Sequence, residues 1–317
     1  MASSASRGGE IGSRQRLKIS CPKKACGFES HPRHMPKNFA PPEMWPEYVH
    51  IAMPRSVCAR EEVGGRQVGG PKGIRWSIWP LTFEEYITDS EPAIDNSGVL
   101  ARNRVVMWKR LHDGPVPKGW HKLSNLPWRV DGFVELMPDT DYKAGWYKQA
   151  RRDLRMWEEK FLNNGYSIEP VLLEEYKCAY AKSTVMRKVG FDPLQIMRRK
   201  YATQIGRDTM ALWGVRNKNG EIIAGINLRF SPTYNSASYE CPFILPEAKK
   251  VYAMTALIDH FFKESQRRSV SLLVFNSFWS KGEPKSWKAF SLFKSHFGPQ
   301  YVAYPPTLWK FVRGKIF

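Results

Sequence analysis

The run Ser269–Asn276 (SVSLLVFN) limits what this chain can fold into more than any other stretch. In an extended backbone it places Val270, Leu272 and Val274 on one side and Leu273 and Phe275 on the other. Successive side chains of a strand point to opposite faces, so this segment has no face left for water. A strand of that kind belongs inside a sheet with helices covering it, which predicts an α/β fold. The expectation is an interior strand at Ser269–Phe275, packed between helices over 247–266 and 284–297.

The neighbouring segments supply the rest of that frame. EIIAGINLRF alternates Ile222, Ala224, Ile226, Leu228 and Phe230 with other residues, a period-two pattern that predicts a strand. MALWGV precedes it across the turn NKNG (Asn217–Gly220), so the two read as a hairpin. NSASYECPFIL (Asn235–Leu245) is a third strand. EAKKVYAMTALIDHFFKESQ carries Val251, Met254, Ile258 and Phe261 at helical spacing, widened by Leu257 and Phe262. PKSWKAFSLFKSHFG opens on Pro284 and stops at Gly298, the proline-first, glycine-after pattern of a helix. YVAYPP and LWKFV close the chain as two short strand-like pieces.

A chain of 317 residues can bury a full core, and 42% hydrophobic with 13% aromatic residues excludes wholesale disorder. The formal charge of +19 favours phosphate-bearing partners: nucleic acid, nucleotide conjugates or anionic membranes. No apolar run reaches the ~18 residues of a membrane span. The N-terminus MASSASRGGEIGSRQRL has no apolar stretch of the secretory kind. Five scattered cysteines (Cys21, Cys26, Cys58, Cys178, Cys241) suit a reducing compartment, and the expected location is cytoplasmic.

Residues 1–45, rich in Ser, Gly, Pro, Lys and Arg, read as a basic, partly flexible tail. Within it Cys21, Cys26, His31 and His34 lie close together, but their spacing fits neither a zinc finger nor a knuckle, and no metal is expected. An aromatic-rich subdomain over 46–137 follows. It begins with the strand-like MWPEYVHIAM and the glycine-rich loop Val63–Gly73, which lacks the Gly-Lys-Ser/Thr ending of a Walker loop. IRWSIWPLTFEEYI brings Trp76 and Trp79, expected in the core. VLARNRVVMWKRL (Val99–Leu111) is ambiguous between strand and helix, and HDGPVPKGWHKLSNLP reads as loop. MPDTD supplies an Asp/Thr cap signal at the boundary with 138–317. A long helix, YKAGWYKQARRDLRMWEEKFLNN, ends at Gly165, with Trp146, Ala150, Leu154, Trp157 and Phe161 as its apolar stripe. The strand YSIEPV and the helices LLEEYKCAYAKS and DPLQIMRRKYATQ lead into the hairpin.

An Arg-Arg helix, this sheet order, and a late helix reading LFKSHFGPQYVAYP together resemble the GNAT-like domain of the Fem-type aminoacyl/peptidyl transferases and related acyltransferases. The similarity covers roughly Asp139 to Val312. It implies a mixed central sheet flanked by helices and transfer of an acyl or aminoacyl group to an amine. In the Fem branch the donor is a charged tRNA and the acceptor a cell-wall precursor peptide. Arg151 and Arg152 match the family's paired basic residues and Lys294 its FK lysine, all three implied to hold phosphates or the tRNA backbone.

Two departures stand beside that resemblance. Fem enzymes have two GNAT-like halves, and 46–137 offers at most part of one. Relatives often carry an aspartate near VFNSFW, where this chain has Asn276, which can hydrogen-bond but bears no charge. No catalytic base is assigned on sequence. The polar strand mouth expected of an enzyme would consist of Tyr239, Asn276 and Lys294. The alternative donor is acetyl-CoA, whose pyrophosphate needs a glycine-spaced loop before the helix after the fourth strand. That place reads LPEAKKVYAMTAL, without glycine, so no cofactor is expected and acetyl-CoA ranks second. A non-catalytic nucleic-acid-binding protein on the same scaffold is the remaining alternative.

Overall fold

Two sheets carry the structure, and each borrows a strand from the far part of the sequence. The computed structural model describes residues 60–63, 72–78, 81–94, 103–138, 140–162, 164–183, 193–283 and 285–314, all within the unit Pro32–Phe317. The tail 1–45, its Cys21/Cys26/His31/His34 group, MWPEYVHIAM, Trp79 and most of the Val63–Gly73 loop lie outside the described residues.

The first sheet contains β1 (Arg60–Val63), β2 (Lys72–Ile78), β3 (Leu81–Thr88), β4 (Asn103–Arg110) and the short β5 (His121–Lys122). The ambiguous 99–111 segment is thus a strand over 103–110, alternately buried along its length. β3 and β4 run parallel, and their core gathers Tyr86, Val106, Trp108 and Trp120. The last strand of the chain, β13 (Leu308–Val312), inserts between β4 and β5.

The second sheet is built on the segments that sequence periodicity marks out. Its strands are β6 (Val130–Glu135), β7 (Ser167–Pro170), β8 (Met210–Arg216), β9 (Ile222–Ser231), β10 (Ser236–Ile244), β11 (Leu272–Phe278) and β12 (Gln300–Ala303), in the order β12-β6-β11-β10-β9-β8-β7. Only β10 and β11 are parallel; the sheet is mixed. The β8–β9 hairpin turns at Asn217–Gly220, where the Asn217 side chain accepts from the Asn219 and Glu221 amides. Since β6 sits in this sheet and β13 in the other, strands cross the expected 137/138 division in both directions.

β11 begins at Leu272, three residues later than expected. Ser269 takes a left-handed conformation, and the amides of Ser269 and Val270 bond back to Gln266 and Ser265, so these residues finish the preceding helix. That helix is itself two pieces, α5 (Pro246–Lys250) and α6 (Ala253–Arg267), broken at left-handed Tyr252. Val251 and Ala253 are both buried. Burial alone does not account for the break, since α6 itself buries residues two apart, such as Ala256 and Ile258. The long helix expected after Asp141 is likewise interrupted. Asp141 caps a 3-10 turn at Tyr142–Gly145, and α1 (Lys148–Trp157) starts later and continues as a π-type segment, Glu158–Leu162. The C-terminal helix is a 3-10 turn followed by α7 (Lys288–Ser295). It ends near Gly298, whose φ of +72° and closeness to the Gly145 carbonyl leave no room for a Cβ.

β11 lies inside the sheet as expected, but helices α6 and α7 do not sandwich it. Phe275 packs on Phe262 of α6 and stacks on Phe297 just past α7, so both helices cover one face. Leu273, Trp146, Leu154 and Trp157 join that core. The opposite face, with Leu272 and Val274, packs with Tyr176 and Tyr180 of α2 (Leu173–Ala181) and Met197 of α3 (Pro193–Tyr201). Among the described residues no helix is long and apolar enough to cross a membrane.

Candidate active site

β10 and β11 pair over only three residues, Ser236–Ser238 with Leu272–Val274, and then part. Both strands depart from regular register at that level. The β10–β9 ladder shifts between Glu240 and Phe243, with Cys241 at positive φ, and the β11–β6 ladder shifts between Phe275 and Phe278. A parting of this kind strands backbone donors and acceptors that a sheet would pair, and burying them unpaired is costly.

Side chains take the place of the missing strand partners. Asn276 Nδ2 donates to the Tyr239 carbonyl at 3.1 Å, bridging the gap. Lys294 Nζ donates to the Asn276 carbonyl and, at 3.1 Å, to the Ser277 carbonyl. The Ser277 amide donates to Asp131 Oδ1 at 2.8 Å. Asp131, on β6, is fully buried and also receives Arg129 Nε at 2.5 Å and the Tyr304 hydroxyl at 3.2 Å.

Lys294 is 2% exposed and rests among aromatic rings: Phe290 at 4.4 Å, Phe278 at 5.3 Å and Tyr239 at 5.9 Å from Nζ to ring centre. Burial pulls its ammonium down to about 7, with the Asp131 charge opposing and Arg129 reinforcing that fall. Near neutral pH it can therefore gain or lose a proton. When protonated it has three N–H groups, two of them spent on carbonyls. The Tyr239 hydroxyl is buried without a hydrogen-bond partner, and desolvation holds it protonated far above its ordinary range. Lys294 thus keeps one N–H beyond the two carbonyls, and its Nζ lies 5.9 Å from the centre of the Tyr239 ring, whose O–H is unspent.

Of the sequence-derived site residues, Tyr239, Asn276 and Lys294 come together here. Arg151 and Arg152 do not: both are exposed on the outer side of α1, where Arg152 reaches Asp153 at 3.5 Å. No hydrogen bond or ion pair among the described residues joins either to the other three. Their helix is still tethered nearby, since the Tyr147 amide donates to the His296 carbonyl beyond α7 at 2.8 Å. Sequence reasoning missed Asp131. Its carboxylate comes from the adjacent strand and binds the amide next to Asn276, and the signal was an acid set among apolar residues in RVDGFVEL. A cavity of about 580 Å³ lies elsewhere, between α2 and the β8–β9 hairpin; it is lined by Arg216 and Glu175, which already pair with each other, and includes none of the residues at the strand parting.

No family model matches the chain, and no curated protein matches it in sequence. Solved structures do. FemX aligns with a TM-score of 0.59 at 9% identity, over 81% of this chain and 89% of its own. The C-terminal domain of a putative lysylphosphatidylglycerol synthetase from Agrobacterium fabrum aligns with a TM-score of 0.50 at 13% identity, over 79% and 83%. The fold is the GNAT-like fold of the Fem type, as the sequence resemblance implies.

Proposed function

We propose that the protein is an acyltransferase that moves an aminoacyl group from a charged tRNA to an amine on a peptide or cell-wall precursor. The observation that carries this reading is the parting of β10 and β11 with Lys294 buried in it. Attack of an amine on an ester carbonyl passes through a tetrahedral oxyanion, and preorganised donors in a dry site stabilise it. Protonated Lys294 and Tyr239 are those donors. The chain need supply no dyad, because an amine that is neutral when bound attacks once it is positioned.

Support for an aminoacyl donor over acetyl-CoA comes from the start of α5. The Leu245 amide there already donates to the Ile223 carbonyl at 2.8 Å, and Glu247 adds a carboxylate held by Tyr166 and Asn217. A negative charge in that place repels a pyrophosphate. Arg151 and Arg152, exposed on α1, are proposed to hold the tRNA backbone rather than the reacting atoms.

The test is direct. The protein, a charged tRNA with labelled amino acid and an amine-bearing peptide should together yield an amide-linked product by mass spectrometry. Binding of tRNA should weaken steeply with salt, and changing Arg151 and Arg152 together to Ala should reduce the log–log slope by about 1.5–2, for all tRNAs alike. Stoichiometric acetyl-CoA binding by calorimetry, with no tRNA binding at low salt, would overturn the aminoacyl reading in favour of an acetyltransferase. Binding of tRNA with no product from any amine would leave a nucleic-acid-binding protein.

A further inference from the structure

We propose that Asp131 is a positioning residue for Lys294, acting on it through the single peptide unit between Asn276 and Ser277. The N–H of that unit, on Ser277, donates to Asp131 Oδ1 at 2.8 Å. The C=O of the same unit, on Asn276, accepts from Lys294 Nζ. A buried carboxylate and a buried ammonium are thus joined end to end across one amide, with no direct contact between them. Each hydrogen bond polarises the amide in the sense that strengthens the other, and a low-dielectric setting magnifies this coupling.

The arrangement explains why two side chains and a backbone amide converge on Asp131. Arg129 Nε and the Tyr304 hydroxyl fix its two oxygens, and Tyr304 is in turn stacked on Trp128 at 4.8 Å. Arg129 also reaches Asn276 Oδ1 at 3.5 Å, so the β6 side grips the same residue whose carbonyl Lys294 grips from the other face. The groups facing Lys294 are Asp131 and Arg129 from the β6 side and Tyr239 from β10; the rings of Phe278 and Phe290 complete its surroundings. Asp131 makes the charged ammonium easier to hold, and Arg129 makes it harder. Burial sets most of the fall at Lys294, and the pair adjusts it in opposite directions, and with it the donor role assigned above.

The test reads Lys294 itself and needs no substrate. In full-length protein carrying ¹³C-lysine, the Lys294 Cε signal is identified by its loss in Lys294→Met and titrated by NMR. Asp131→Asn keeps an acceptor for the Ser277 amide and removes only the charge. Its Lys294 midpoint should fall by about one pH unit. Arg129→Gln should move the midpoint the opposite way. Midpoints within about 0.2 unit of the parent protein in a folded Asp131→Asn would overturn the proposal. If Asp131→Asn does not fold, the Ser277 amide of the parent protein decides: its ¹⁵N–¹H signal should move with the Lys294 midpoint, and an amide signal that stays put through that midpoint overturns the relay. Because the midpoint is independent of which acyl group is transferred, failure of the aminoacyl reading would leave this result standing, and the reverse.

Discussion

Lys294→Met should lower transfer by about 100- to 1,000-fold in kcat, with a much smaller change in KM, as expected when one oxyanion donor is lost. Methionine fills much of the same space among Phe278, Phe290 and Tyr239 but leaves the Asn276 and Ser277 carbonyls without their donor. A fall of less than about threefold in a folded variant would remove Lys294 from the reaction. The pH dependence gives a second reading. In the parent protein kcat should decline as pH rises through about 7, where Lys294 loses its proton. The stability of the fold should change in the opposite sense. Its midpoint lies below the ordinary 10.5, so between about 7 and 10.5 the unfolded chain binds more protons than the native one, and stability contributed by this residue rises with pH. Lys294→Met should lack that rise.

Leu273→Ala carries the largest expected effect on the fold, a loss of about 2–5 kcal/mol in denaturant unfolding. Leu273 is fully buried near the start of β11, in the core shared with α1 and α6. The neighbouring elements are a sheet and two helices tied at both ends, which leaves little freedom to collapse into the void. A loss under about 0.5 kcal/mol would mean that this position is not in the core.

Much of the second sheet was legible because burial writes itself into period. The two-sided apolar run at Leu272–Phe275 became β11, and EIIAGINLRF became β9, although its alternation did not mark a wet face: all ten residues of β9 are buried, so both its sides are covered. The helices read less well at their ends. Nothing local in EAKKVYAMT announces that Tyr252 turns left-handed, a conformation that a bulky residue rarely takes, because the apolar stripe runs on through it. β6 was missed for a different reason. Val130–Glu135 is short, contains Gly132, and carries Asp131 facing inward, so its pattern resembles a loop until its partners β11 and β12 are known. Within the site, Tyr239 and Asn276 were visible as polar residues on apolar strands, and Lys294 through the FK element of the family resemblance. Asp131 and Arg129 were not, since their importance comes from a pairing across strands that no spacing in the chain encodes.

The exchange of strands between the two sheets has a consequence for how this chain comes off the ribosome. β4 finds its outer neighbour only in β13, and about 200 residues of chain separate Val105 from Phe311, which pair across that ladder. Throughout synthesis of the second sheet the first therefore has an open edge, with Trp108 and Val106 beside it awaiting Leu308. An exposed strand edge next to aromatic side chains is where nascent chains aggregate. The N-terminal sheet is begun first and completed last, so a chain stopped a few residues before Leu308 would present that edge even with its active-site half fully assembled.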